Sequence, residues 1–100
     1  MEWLQHWYFA QCDDLWEHHH GIKLETLDNP GWRVEIDIAG TSLQDRPFAE
    51  IDNPYTVNHA GVAGNHDWLS CKVESGHFIG AGGPHSLEAI CAEFRRWADQ

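Results

Sequence analysis

Apolar and polar side chains change their spacing along this chain, and the changes mark out a helix, several strands and a second helix. At the start, Trp3, Leu4, Trp7, Tyr8, Ala10 and Cys12 fall largely on one side of a helix spanning 3–12. Asp13-Asp14 closes it, with acids where the helix dipole disfavours them. From residue 22 the period drops to two. Ile22, Leu24 and Thr26 alternate with Lys23, Glu25 and Leu27; after Asn29-Pro30-Gly31, Trp32, Val34, Ile36 and Ile38 alternate with Arg33, Glu35 and Asp37. Two such runs about a Pro-Gly turn predict a β-hairpin.

Matching apolar faces allows Ile22 to pair with Ile38, Leu24 with Ile36 and Thr26 with Val34, around a loop of Asn29-Pro30-Gly31 in which Gly31 takes the left-handed position. On the opposite face this register sets Lys23 against Asp37 and Glu25 against Glu35. The second is a like-charge pair costing roughly 0.2–1 kcal/mol unless Arg33 or Lys72 neutralises it.

Residues 40–47 read as loop, and Phe48-Ala49-Glu50-Ile51-Asp52 as a short edge strand. Residues 53–66 carry turn formers and little period, and read as an inserted loop. Asp67–Glu74 alternates again with Leu69, Cys71 and Val73 inward, and His77–Ala81 is the last strand. Leu87, Ile90, Cys91, Phe94, Trp97 and Ala98 then recur at helical spacing behind a capping Ser86, with Glu88 early and Arg95-Arg96 late, as the dipole favours. The predicted fold is α+β: one domain over 1–100, an antiparallel sheet of four to five strands, and both terminal helices on one sheet face. Lys23, Glu25, Arg33, Glu35, Asp37, Trp68 and Lys72 fall on the other face.

Composition narrows the function. The chain has 100 residues, 42% of them apolar, so one folded core is within reach. No apolar run approaches the ~20 residues of a membrane span, and the N-terminus reads as free of a signal segment. The formal charge is −10 with His neutral. That disfavours nucleic acid and anionic membrane surfaces and favours a basic partner. Cys12, Cys71 and Cys91 are widely spaced, without a CxxC, and read as reduced thiols of a cytoplasmic protein.

The eight His invite a metal reading. Contiguous His18-His19-His20 does not converge on one ion in regular structure, and HExxH and paired cysteines are missing. No metal and no cofactor are expected. Glu17 beside His18 could form an acid–base pair, but no nucleophile motif or phosphate loop accompanies it, so an enzyme is not expected. Trp3, Trp7 and Trp97 sit on helix stripes and read as core. Strand parity sets Trp68 away from Leu69, Cys71 and Val73; an aromatic among charges on an open sheet face suits an interface anchor.

Several segments together resemble the immunity protein 53 family of bacterial polymorphic toxin systems. They are Trp3-Leu4-Gln5, Trp7-Tyr8, Gln11-Cys12-Asp13, Trp16-Glu17-His18, Gly21 to Trp32, Asp67-Trp68, Cys71-Lys72-Val73-Glu74 and Phe78 to Gly82. The stretch from Trp16 to Trp32, ending Leu-Asp-Asn-Pro-Gly-Trp, is the specific part; residues 53–65 depart from the pattern. The resemblance implies a non-catalytic antidote that binds a cognate toxin, often a nuclease with a basic groove, in the cytoplasm. Glu17, His18, Asp28, Asn29 and Trp32 match the family motif. Asp28, Asn29, Pro30, Gly31 and Trp32 read as a structural turn. The expected toxin-binding set is Glu17, His18, Glu25, Glu35, Asp37 and Trp68. The alternative is a small metal- or ligand-binding domain using His18–His20. Oligomeric state and the identity of the toxin stay open.

Overall fold

The computed structural model describes residues 2–28, 30–53 and 68–100. The elements run α1 (Glu2–Gln11), α2 (Trp16–His19), β1 (Ile22–Leu27), β2 (Gly31–Asp37), β3 (Ile51–Asn53), β4 (Leu69–Glu74), β5 (His77–Gly82) and α3 (Leu87–Ala98). The strands form one antiparallel sheet in the order β1-β2-β5-β4-β3. The α+β reading therefore holds, with five strands. The loop expected at 53–66 falls almost wholly outside the described residues.

The β1–β2 hairpin forms two residues away from the expected register. Ile22 pairs with Ile36, Leu24 with Val34 and Thr26 with Trp32. A two-residue slide keeps every side chain on its face, so hydrophobicity alone cannot choose between the two registers. Charge can. The observed register sets Lys23 opposite Glu35 and Glu25 opposite Arg33, and the expected Glu25–Glu35 repulsion disappears. Leu27 pairs with Gly31, so the loop is residues 28–30, with Asn29 outside the described residues. Gly31 is not in a left-handed turn. It lies in β2, where a Cβ would stand 2.3 Å from the Gly82 carbonyl oxygen. Its glycine serves a close backbone approach.

The core lies between the sheet and α3. Val34, Ile36, Cys71, Phe78, Ile90 and Phe94 are fully buried. Each large apolar side chain so enclosed contributes about 2 kcal/mol. The floor beneath α3 is bare: a Cβ on Gly80 would come within 2.3 Å of Ile90 Cγ2. Phe94 then meets Phe78 at 5.1 Å and Trp7 of α1 at 5.0 Å between ring centroids. So α1 is held largely through α3, with Leu4 entering the core.

Three indoles fasten loops to this core. Trp16 Nε1 donates to the Ala39 carbonyl at 2.9 Å, Trp32 Nε1 to Pro84 at 3.1 Å and Trp97 Nε1 to Pro47 at 2.8 Å. Trp97 is buried as expected, while Trp3 and Trp7 are half-buried against the core. Among the thiols Cys71 is buried, and Cys12 and Cys91 are half-buried.

Two local expectations change. Phe48 is not in a strand; it packs on Phe78 and Trp97, and the edge strand begins at Ile51. Ser86 precedes α3 but its hydroxyl does not cap the helix. It donates to the Trp68 carbonyl at 3.3 Å instead, because Gly82 lets Ser86 sit against that strand end. At the other terminus Arg46 Nη1 reaches the carbonyls of Trp97, Ala98 and Gln100, satisfying the end of α3.

Gly80→Ala is expected to lower unfolding free energy by about 1–3 kcal/mol in urea denaturation. Ile90→Ala in the same chain removes the colliding methyl, so the double variant should lose less than the two single losses added together.

Candidate functional site

With the core on one side, the second face of the sheet is left mostly to polar side chains, with Leu27, Ile79 and Ala81 among them. Strand parity places Lys23, Glu25, Arg33, Glu35, Asp37, His77, Lys72 and Glu74 there. Arg33 Nη1 lies 3.0 Å from Glu35 Oε1 and 3.8 Å from Glu25 Oε2. Lys72 Nζ lies 2.9 Å from Glu74 Oε1. The Arg33 hydrogen bond, with smaller help from neighbouring cationic charge, holds the Glu35 carboxyl below its ordinary range.

One end of this face is walled by α2, an element the sequence reading passed over. The Asp13-Asp14 pair that looked unfavourable after α1 serves this next turn. Asp13 Oδ1 accepts from the N–H groups of Leu15 (3.0 Å) and Trp16 (2.8 Å), and Glu17 reaches back to those of Asp13 (2.9 Å) and Asp14 (2.9 Å). The two carboxylates thus accept backbone donors at the helix start from both directions, with Asp13 and Glu17 four residues apart where a capping box has three. These backbone donors hold both Asp13 and Glu17 below the usual carboxyl range; for Asp13 the Trp16 N–H is the largest cause, for Glu17 its own. Trp16 is buried behind the turn, edge-on to Trp7 at 6.2 Å and beside His20 at 5.7 Å. The buried indole positions the three histidines over the end of β1 and β2.

Between that wall and the sheet lies a cleft of about 380 Å³, lined by His18, His19, His20, Gly21, Ile22, Lys23, Glu35, Asp37 and His77. Its centre is Asp37. Oδ2 accepts from the Gly21 N–H at 2.9 Å and stands 3.5 Å from His20 Nδ1; Oδ1 stands 2.9 Å from His77 Nε2. The same His77 nitrogen is 3.5 Å from Glu35 Oε2.

Of the expected binding residues, Glu35, Asp37 and His18 come together at this cleft. Glu25 joins through Arg33 one strand pair away. Glu17 is committed to the α2 turn, with its carboxylate on backbone donors. Trp68 is half-buried just ahead of β4, on the far side of β5 from the cleft, and its carbonyl accepts from Gly83 N and Ser86 Oγ. Asp28 and Pro30 are exposed at the hairpin tip, and Trp32 ties β2 to Pro84. Sequence reasoning gave His77 no role beyond opening the last strand. Its parity opposite Phe78 pointed it to the polar face, but its meeting with Asp37 required knowing that β5 pairs with β2.

The cleft can do two things chemically. It offers carboxylates to a cation or hydrogen-bond donor from outside. It also holds three groups able to ligate a metal: one ligand atom each from Glu35, Asp37 and His77 lie within 4.8 Å of one another.

A family model described as Immunity protein 53 matches residues 1–99. No curated protein and no solved structure gives a match. Among the described residues no helix is long and apolar enough to cross a membrane.

The Glu35–Arg33 pair sets a pH dependence. A carboxyl held lower in the folded state than in the unfolded chain adds stability above its unfolded pKa, and that gain is lost as pH falls through the folded value. Wild-type stability should therefore fall from about pH 4.5 downward more steeply than that of Glu35→Gln, compared by urea unfolding across pH 7 to 3.

Proposed function

Because the chain belongs to the immunity protein 53 family, we propose that it binds a cognate bacterial toxin in the cytoplasm and neutralises it by occlusion, without catalysis. The observation that carries this reading is the charged, open sheet face on a chain of formal charge −10. A toxin with a basic substrate groove, such as a nuclease, complements it. Opposite fields speed encounter, and carboxylates can occupy the places of substrate phosphates. In this reading Glu25, Glu35 and Asp37 supply the charge. His18 lies on the rim, Glu17 fixes that rim through the α2 turn, and Trp68 anchors the far side of the face.

Reversing the charge tests this. Glu25→Lys with Glu35→Lys should weaken binding to the purified toxin domain of the same locus by at least about tenfold, with most of the loss in association rate at low salt. Circular dichroism confirms the fold of the variant. A folded variant with unchanged affinity removes this face from the interface.

A second reading has one specific observation behind it, the convergence of Glu35, Asp37 and His77. It moves the metal hypothesis off His18–His20: of those three, only His20 has a ring nitrogen within ion-pair distance of the cluster, through Asp37. Under it, untagged, chelator-washed protein takes up one equivalent of Co²⁺ or Zn²⁺, and His77→Gln weakens uptake at least about tenfold while His18→Ala leaves it unchanged. No stoichiometric uptake, or uptake indifferent to His77→Gln, ends this reading.

A further inference from the structure

β1 is the outermost strand, and among the described residues nothing pairs with its second edge. Its backbone parity follows from one hydrogen bond. Asp37 N donates to Gly21 O at 3.0 Å, so residues 21, 23, 25 and 27 turn their backbone groups toward β2. Ile22, Leu24 and Thr26 turn theirs outward. Free strand edges of this kind are templates for another strand, and proteins usually blunt them. This edge keeps apolar surface instead. Leu24 is 40% exposed, and a groove of about 430 Å³ runs between β1 and α1, lined by Leu4, Gln5, Tyr8, Gly21, Ile22 and Leu24. Phe9, one helical turn beyond Gln5, is 77% exposed.

We propose that the partner of this edge is a second copy of the chain, joined by antiparallel β1–β1 pairing centred on Leu24. The strand is self-complementary about that residue. A two-fold axis there pairs Leu24 with Leu24 of the second copy and Ile22 with its Thr26. These are the positions whose N–H and C=O groups point outward, so each pair can exchange both hydrogen bonds. Lys23 then meets Glu25 of the second copy, and the symmetry repeats the contact. A centre on residue 23 or 25 would still pair outward-facing backbone groups, Ile22 with Leu24 or Leu24 with Thr26, but would set Lys against Lys or Glu against Glu. Hydrogen-bond parity thus excludes a centre between two residues, and charge favours Leu24 over residues 23 and 25.

The axis stands normal to the sheet, so it leaves the helices of both copies on one side and both charged faces on the other. The α1 helices meet above the seam, where Tyr8 and Phe9 leave water. Two chains of formal charge −10 repel each other at long range. At physiological salt the screening length is about 8 Å, which damps that repulsion more than contacts between directly opposed residues about 5 Å apart.

Sedimentation equilibrium at physiological salt tests the proposal. The wild-type chain should show a reversible dimer, with slowed amide exchange at Ile22, Leu24 and Thr26 as concentration rises. Lys23→Glu and Glu25→Lys, each present twice in a dimer, should each weaken it at least about tenfold. Combining them restores complementarity across the seam and should recover affinity to within about threefold of wild type. The combination also opposes like charges inside each hairpin, against Glu35 and Arg33, so recovery cannot come from within one chain. Leu24→Lys, at a position already exposed, should abolish the dimer while the chain stays folded by circular dichroism. A chain that stays monomeric to about 1 mM, a dimer indifferent to Lys23→Glu or Leu24→Lys, or protection falling away from β1 overturns the proposal.

Discussion

The seating of Ile90 on the bare backbone of Gly80 organises this molecule. Stacked layers normally stand well apart, about 10 Å for two sheets, because side chains from both fill the space. Here β5, a central strand, withdraws its side chains at Gly80 and Gly82, and α3 settles directly on it. That contact places Phe94 where Phe78, Trp7 and Trp3 surround it. It also places Trp97 where its indole reaches the Pro47 carbonyl. The aromatic core is therefore a consequence of two glycines as much as of the aromatic residues.

Committing most of the apolar content to that side has a consequence for the other. The second face of the sheet has no layer to cover it, so its side chains must tolerate water. They do so as alternating charges, and the alternation does structural work in turn. The hydrophobic pattern fits two hairpin registers equally well; Lys23 opposite Glu35 and Glu25 opposite Arg33 break the tie. Each such pair is worth a fraction of a kcal/mol. That is small against the core but sufficient to decide between arrangements the core cannot tell apart. The same charges that would meet a partner thus also set the strand alignment that presents them.

Periodicity made the helices, the hairpin and the strand faces legible, because each depends on residues close in sequence. Asp37, Glu35 and Glu25 were assigned to the open face by parity alone, and parity survives a two-residue slip. What was not legible depended on contacts across the chain. His77 reaches Asp37 only because β5 inserts beside β2, forty residues away in sequence. Trp16 gave no periodic signal, since it belongs to a four-residue helix whose logic is the Asp13–Glu17 capping network. Gly31 and Ser86 were given local roles as turn and cap residues. Both serve the approach of another segment, the Gly82 carbonyl in one case and the Trp68 carbonyl in the other.

The energetics of the charged face bear on how it could serve the proposed interface. Every acid at its centre already has a partner within the chain: Arg33 for Glu25 and Glu35, His77 for Asp37 and Glu35. If those pairs were strong, an incoming cation would gain little by replacing them. They are partly exposed, and exposed pairs are worth about 0–1 kcal/mol because water competes for both partners. Covering the face excludes that water, and opposite charges brought together across a dry interface interact more strongly than they did in the open. Removing one member of a covered pair then leaves a charge stranded, which is why such contacts discriminate between partners more than they add affinity. The face is thus held in register by interactions weak enough to exchange. Asp37, fixed by the Gly21 N–H at 2.9 Å as well as by His77, is the one acid whose position does not depend on that exchange.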